Sequence, residues 1–413
     1  MEKKYQIDTA ENRAFFRDGA EALLTFGRAF PSPGGGAYYL GGRGEPWKDR
    51  NRETWITARM VHVYSIGAML GLPDCERLAA SAMHAFTDGE LRDRANGGYY
   101  PGVRADGSIL PDKQCYAHAF VILAASSALL AGIPGAEALL ADAEDVFLRR
   151  FWDEKEGMTL DTWDTAFTQA DPYRGLNANM HTVEAFLAAA DASGVDEWRA
   201  RAGRIIERVI AFAEGSNWRI PEHYTEDWVP DPECSRDRPD DPFKPYGATP
   251  GHGIEWARLI TQWALSSSDI DEGKRASCIR AAENMFRRAA ADGWNADGAP
   301  GIVYTTDWDG KPVVHDRMHW TLAEAINTSA VLFRVTGNEE YAHRFSEFTE
   351  YLDQCVLDHE TGSWYHQLDR ENRLLETVWP GKCDLYHAFQ AMLIPYAAPA
   401  LSVAAAVRRG ELI

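Results

Sequence analysis

The 413-residue chain has only six cysteines, and Cys75, Cys115, Cys234, Cys278, Cys355 and Cys383 stand far apart with no CxxC pair. That spacing excludes a zinc ribbon and a disulfide framework, and it predicts a reducing, cytoplasmic setting. Basic residues are also scarce: 42 Lys and Arg face 62 Asp and Glu, a formal charge of −20 at pH 7. With no basic patch against it, such a surface repels nucleic acid and anionic membranes. The first residues, MEKKYQIDTAENRAFF, have charges but no apolar core and no small-residue cleavage site, so no secretion signal is expected. The longest apolar run, AHAFVILAASSALLAGI at 117–133, carries a histidine and two serines and reads as a buried helix, not a membrane span. No Pro- or Gly-rich linker divides the chain, which predicts one catalytic domain over residues 1–413. The glycines of PSPGGGAYYLGGRG at 31–44 match neither GxGxxG between a strand and a helix nor GK[ST]. An aromatic hairpin is expected there, and no cofactor.

What the chain does have is aromatic residues, with 14 Trp and 16 Tyr, and a repeated alternation of turn-rich and helical stretches. The turn-rich stretches at 91–110, 151–164, 218–231, 301–314 and 357–375 place turn pairs beside short aromatic and β-branched runs, the mark of small hairpins. Between them lies room for helix pairs. Six helices are apolar around most of their circumference: WITARMVHVYSIGAML, KQCYAHAFVILAAS, NANMHTVEAFLAAA, ATPGHGIEWARLITQWAL, MHWTLAEAINTSAVLF and CDLYHAFQAMLIPYA. Such helices need burial on several sides, whereas WRARAGRIIERVIAFA at 198–213 keeps its arginines on one face and reads as outer. The fold expected is all-α: an (α/α)6 barrel, or toroid, with short β-hairpins over one end. An open α-solenoid is the competing architecture, and it would lack a shared pocket.

The chemistry is expected at the starts of the inner helices. In ATPGHGIEWARL, Thr249 reads as the N-cap and Pro250 as the first helical residue, which puts His252 in the first turn and Glu255 three residues on. NANMHTVEAF repeats the pattern, with Asn177 or Asn179 capping, His181 in the first turn and Glu184 three residues later. Trp55 and Arg59 are spaced i, i+4, as are Trp320 and Glu324, and His387 opens the last inner helix after Tyr386. If the six starts converge, three histidines, carboxylates, an arginine and aromatic plates share one pocket. Aromatic plates stack on the C–H faces of sugars, while fixed polar groups bind hydroxyls. Neutral imidazoles suit proton transfer beside a carbonyl, and helix N-termini keep them neutral and favour a developing enediolate. This points to a sugar isomerase or epimerase.

The motifs WITARMVHVYS, NANMH, TPGHGIEW, TTDWDGKP and DLYH together give a chain that resembles the N-acylglucosamine 2-epimerase superfamily, in its aldose–ketose isomerase branch, over nearly its whole length. The resemblance implies the (α/α)6 barrel and metal-independent interconversion through a cis-enediol. It makes His387 the base between C2 and C1 and His252 the second acid/base, with Glu255 and His181 beside them. Arg59, Trp55, Tyr116, Asn177 and Trp320 then bind hydroxyls or the ring, and Glu324, His366 and Trp379 complete the expected substrate-binding set.

The relatives in that branch that act on a sulfosugar hold its sulfonate with an arginine and glutamines, at positions corresponding to Pro242, His366 and Cys383. None of those side chains survives here. Losing a charge-assisted bond forfeits about 1.5 to 3 kcal/mol, so an uncharged hexose is expected, D-mannose to D-fructose first and D-lyxose to D-xylulose second. Lys244 is the one nearby cation that could replace part of the lost charge. Sulfoquinovose isomerisation and 2-epimerisation remain alternatives within the family. Outside it stand a glycoside hydrolase on the same toroid, recruiting Asp161, Asp164, Asp307 and Glu255, and a sugar-binding protein without chemistry. His252 and Glu255 on one helix face are the candidate metal ligands, but helical di-iron proteins use Glu-x-x-His in that order, so no metal is expected. The partner expected is a monosaccharide, and the sequence favours neither a monomer nor a homo-oligomer.

Overall fold

The computed structural model describes residues 4–412. Thirteen α-helices among them follow the predicted alternation: α1 Ala10–Phe26, α2 Thr54–Met69, α3 Cys75–Thr87, α4 Cys115–Leu130, α5 Ala136–Arg150, α6 Leu176–Ser193 and α7 Glu197–Gly215, then α8 Pro250–Ser266, α9 Glu272–Gly293, α10 His319–Thr336, α11 Glu339–Tyr351, α12 Tyr386–Leu393 and α13 Val403–Arg409. The even-numbered helices from α2 to α12 pack in sequence, and α12 returns to α2, so the inner ring closes. This is the (α/α)6 barrel, and closure removes the solenoid alternative.

Hydropathy sets the two layers. Helix α2 is buried at every position from 54 to 67, as a helix apolar on all sides must be. Helix α7 instead buries Trp198, Ala202, Ile205, Ile206, Val209 and Ala213, the i, i+3, i+4 stripe of a helix that faces the core on one side only. Helix α1 supplies the sixth outer position, against α12. The short α13, which sequence periodicity did not single out, packs on α2, α4 and α6. None of the helices among the described residues is long and apolar enough to cross a membrane.

The hairpins lock neighbouring repeats together by one recurring rule. The extended residues that lead into an inner helix pair with a hairpin of the following repeat: 52–53 with 102–103, 113–114 with 162–163, 174–175 with 223–224, Ala248 with Thr306, and 317–318 with 367–368. The sixth case closes the circle, because the Lys382 backbone N–H donates to the Leu40 carbonyl of the first repeat. Aspartates build the tight turns. Asp93, Asp153 and Asp358 each accept backbone N–H bonds from the residues two and three positions on, at 2.9–3.1 Å. Asp93 and Asp358 then bind Lys113 and Lys382, the buried lysines that lead into α4 and α12, at 2.7 Å each. The Gly-rich segment 31–44 forms the start of an aromatic hairpin, with Tyr39 stacked on Trp47 at 5.3 Å between ring centroids.

Candidate active site

All six inner helices direct their N-terminal ends at one cleft, which encloses about 520 Å³ of empty space, its open mouth included. The repeat places equivalent residues there. The second residue of each inner helix is Trp55, Tyr116, Asn177, Gly251, Trp320 or His387. One turn deeper, four residues on, stand Arg59, Phe120, His181, Glu255 and Glu324 in the first five of these helices. Gly251 is small for a reason: a Cβ on it would lie 2.6 Å from the Trp320 ring.

Three histidines are backed by carboxylates in the same sense. Nδ1 of His387 faces Glu324 Oε1 at 3.2 Å, Nδ1 of His252 faces Glu222 Oε1 at 3.0 Å, and Nδ1 of His181 faces Glu184 Oε2 at 3.3 Å. A carboxylate accepting from Nδ1–H leaves the Nε2 lone pair available as a base. The rings of His252 and His387 lie 4.9 and 6.0 Å from that of Trp320, on two different helices. Burial, with the Arg59 guanidinium and the His319 ring nearby, pushes His387 well below the ordinary imidazole range. Burial likewise lowers His181. Both are neutral bases near pH 7.

The carboxylates differ among themselves. Burial and then repulsion from Glu324 push Glu255 well above the usual carboxyl range. Glu324 is also raised by burial, but it accepts a 2.8 Å bond from Arg258 Nε, so the proton of this coupled pair belongs on Glu255. Glu184 lies below the usual range, because bonds from His181 and the Arg258 charge outweigh its burial. Glu255 is therefore a neutral carboxyl facing the cleft, able to donate a hydrogen bond.

The opposite wall is cationic and aromatic. Arg59 donates to Asp384 at 3.1 Å and to the Tyr116 hydroxyl at 2.9 Å, and its guanidinium lies over the rings of Trp55, Phe120 and Tyr386 at 4.5–4.8 Å. At the mouth Phe243 meets Trp55, Tyr116 and Trp379 edge to face, at 5.6–6.1 Å.

Of the residues expected from sequence, Trp55, Arg59, Tyr116, Asn177, His181, His252, Glu255, Trp320, Trp379 and His387 line this cleft. Glu324 and His366 do not. Glu324 stands behind His387, and His366 lies beneath His319, stacked at 3.7 Å with its Nδ1 3.6 Å from the Cys383 sulfur. Both were expected to touch substrate, and both are one layer too deep.

The capping assignment at α6 also needs correction. Gly175 is the N-cap, Asn177 faces the cleft, and Asn179 accepts from Thr159 N–H while donating to the Gly175 carbonyl. His181 consequently sits in the second turn, so the three histidines occupy three different helical positions. Thr249 does cap α8 by position, but its hydroxyl makes no capping bond. Lys244 turns away from the cleft to lie 3.6 Å over the Tyr173 ring and 3.9 Å from Asp161, so it offers no charge to an anionic sugar. His319, Tyr304, Phe243 and Asp384 line the cleft without having been singled out, and Glu222 backs His252 from a hairpin. Asp384 and His319 belong to the DLYH and MHW motifs themselves, where helix starts could have flagged them. Glu222, Tyr304 and Phe243 come from loops with no periodicity to place them.

Among the described residues, His181, Glu184 and Glu255 bring ligand-capable atoms within 4.8 Å of one another. The Arg258 guanidinium already stands 4.0 Å from Glu184 and 3.6 Å from Glu255, which opposes a second cation there.

The model of the N-acylglucosamine 2-epimerase family matches residues 35–391. The chain belongs to that family. It is 42% identical over 355 residues to a D-mannose isomerase of Pseudomonas cannabina pv. alisalensis, covering 86% of this chain and 85% of that protein. It is 41% identical over 401 residues to a D-mannose isomerase of Thermobifida fusca, covering 96% and 97%. A crystal structure of a D-mannose isomerase superposes with a TM-score of 0.87 at 26% identity, covering 94% of this chain and 98% of that one. The family's barrel is thus reproduced along almost the full length of these relatives.

Proposed function

We propose that this member of the N-acylglucosamine 2-epimerase family is an aldose–ketose isomerase that interconverts D-mannose and D-fructose, with D-lyxose and D-xylulose as a second pair. One observation carries the reading: imidazoles backed by carboxylates at Nδ1 converge from separate helices on one aromatic-walled cleft. The identity to two proteins named D-mannose isomerase supports it and chooses the sugar.

In this reading His387 Nε2 removes the proton from C2 of the open-chain aldose. The C2 electrons form the C1=C2 double bond of a cis-enediol as the carbonyl oxygen O1 gains a proton. His387 returns its proton to C1 on the same face, while O2 gives up its own and becomes the ketone. His252, held by Glu222, serves the oxygens and the opening of the ring. Glu255 donates to a sugar oxygen, and Arg59 and Asn177 fix hydroxyls while Trp55, Trp320 and Trp379 meet the C–H faces. Six helix N-termini aimed at the cleft favour the negative charge that develops on O1.

The hydrolase alternative has little support. Asp164 and Asp307 hold turns through backbone N–H bonds, and Asp161 lies beside Lys244 and Tyr173, so Glu255 alone of that set lines the cleft. A 2-epimerase remains a second reading because His252 and His387 both flank Trp320. We read the chain as one catalytic domain, and the free thiols of all six cysteines suit a cytoplasmic setting.

The test is product NMR in deuterated buffer with mannose, lyxose, glucose, N-acetylmannosamine and sulfoquinovose. Fructose and xylulose with solvent deuterium at C1, in the presence of a chelator, are expected. A product that is only the C2 epimer, or activity lost to the chelator and restored by a divalent ion, overturns the assignment.

A further inference from the structure

Below the cleft, the catalytic layer rests on a buried cation. Arg258, on α8 one turn past Glu255, is 4% exposed. Its Nε donates to Glu324 Oε2 at 2.8 Å, and its Nη2 stands 3.6 Å from Glu255 and 4.0 Å from Glu184. Glu324 is the partner of His387, and Glu184 is the partner of His181. The guanidinium therefore hydrogen-bonds the carboxylate behind His387 and stands near, without bonding, the one beside His181, which the Tyr386 hydroxyl and Gln390 Nε2 hold instead. Arg258 does not line the cleft. It lines a separate cavity on the far side, together with His62, Gln262, Gln390 and Ser402, with about 490 Å³ of empty space against 520 Å³ for the cleft, of which about 30 Å³ admits the centre of a water. In that cavity Arg258 Nη2, His62 Nε2 and the Ser402 hydroxyl have no protein hydrogen-bond partner, and the space is sized for one or two bridging waters.

We propose that Arg258 is a positioning residue for the isomerisation: from beneath the cleft its Nε–H holds Glu324, so that His387 presents Nε2 to the sugar, while its charge offsets the neighbouring Glu184 and Glu255. Three carboxylates, Glu184, Glu255 and Glu324, stand close together in the dry interior, and repulsion would drive them apart or into protonation without a cation among them. The planar guanidinium bonds Glu324 through Nε while Nη2 keeps its charge between Glu255 and Glu184, a fixed geometry that the mobile point charge of a lysine does not reproduce. A protonated or displaced Glu324 would no longer accept from His387 Nδ1–H, and the base would lose both its tautomer and its aim. The groups that face this guanidinium are Glu255 from its own helix, Glu184 from α6, Glu324 from α10 and His62 from α2. The inference deepens the isomerase reading and rests on it for the name of the reaction.

The test compares wild type, Arg258→Lys and Arg258→Met in the full chain. It reads kcat and KM for mannose, the pH profile of kcat, melting temperature, and histidine tautomers by long-range ¹H–¹⁵N correlation. For Arg258→Lys we expect kcat to fall by ~10-fold or more with KM within ~3-fold, because ground-state sugar contacts are untouched. The acid limb of kcat should move to higher pH, since Glu324 without the guanidinium takes up a proton more readily as pH falls. The His387 signal should lose its single Nδ1–H tautomer, and Arg258→Met should do the same more severely. If the methionine variant does not fold, the lysine variant alone decides. A folded Arg258→Lys with wild-type kcat, acid limb and His387 tautomer overturns the proposal. A wild type with no aldose isomerisation would sink the functional reading instead, while the tautomer comparison would still report on the clamp.

Discussion

Replacing Glu324 by glutamine separates orientation from charge at the proposed base. The amide oxygen can still accept from His387 Nδ1–H across the present 3.2 Å and so orient the ring, although the amide NH2 then replaces the oxygen that accepts from Arg258 Nε. What disappears is the negative charge that meets the imidazolium formed when His387 takes the C2 proton. A charge-assisted hydrogen bond is worth roughly twice a neutral one, a difference of about 1 to 2 kcal/mol, which corresponds to about 5- to 30-fold in kcat. KM for mannose should hold steady, because Glu324 stands behind the cleft wall. A second consequence has a definite sign. Repulsion from Glu324 helps to push Glu255 up, so the substitution lets the Glu255 proton leave at lower pH. Loss of that donor should bring the alkaline limb of kcat down. Initial rates of ketose formation across a pH series, with a thermal melt on the same preparations, measure all three effects. A Glu324→Gln enzyme within ~2-fold of wild type in kcat would refute the argument that this carboxylate stabilises the transition state.

Three further outcomes follow from the geometry. His387→Ala and His252→Ala should each lower kcat by at least ~10²-fold with the melting temperature kept, and near-normal turnover removes that residue from the mechanism. The base form of His387 exists above its own pKa, which burial holds well below the ordinary value of about 6.5, so the acid limb of kcat should fall below that value; a limb at or above it contradicts a buried imidazole as the base. Lys113→Met should destabilise the fold by ~3–5 kcal/mol, because it removes the countercharge 2.7 Å from the fully buried Asp93 and leaves that carboxylate only neutral N–H partners. Denaturant midpoints at constant slope measure it, and a loss below ~1 kcal/mol would show that Asp93 finds other solvation.

The layer architecture was legible because burial writes itself into hydropathy. An inner helix surrounded by protein must be apolar throughout, as α4 is, and an outer one carries its arginines to one side, as α7 does. The site was legible where a helix start displays its residues, at Trp55, Tyr116, His252, Trp320 and His387. It failed where depth mattered. Sequence places Glu324 and His366 near the right helix ends, but the difference between touching a sugar and touching the histidine that touches it is one side-chain length. It failed again at α6, where asparagines suggest caps but Gly175 takes the N-cap position with no side-chain capping bond. Glu222 carries a strong role with no sequence signal, since it reaches His252 from a hairpin thirty positions upstream.

That failure at α6 bears on how the cleft acquires its chemistry. Equal register for three histidines would put equivalent groups at equivalent heights, a symmetric ring suited to a symmetric ligand. Instead His387 is the second residue of its helix, His252 the third and His181 the sixth. The imidazoles therefore lie at different depths on α6, α8 and α12, with Tyr116 of α4 against His181 and Arg59 of α2 over the Tyr386 ring at the start of α12. An aldose chain is itself asymmetric: the reacting C1–C2 end needs proton carriers, and the rest needs hydroxyl partners and a flat apolar face. A six-fold scaffold supplies positions that are equivalent in backbone and independent in side chain, so one end of the sugar can be met by bases and the other by aromatic and cationic groups. Circular symmetry in the fold thus imposes no symmetry on the site, whose histidines stand at three different positions along their helices.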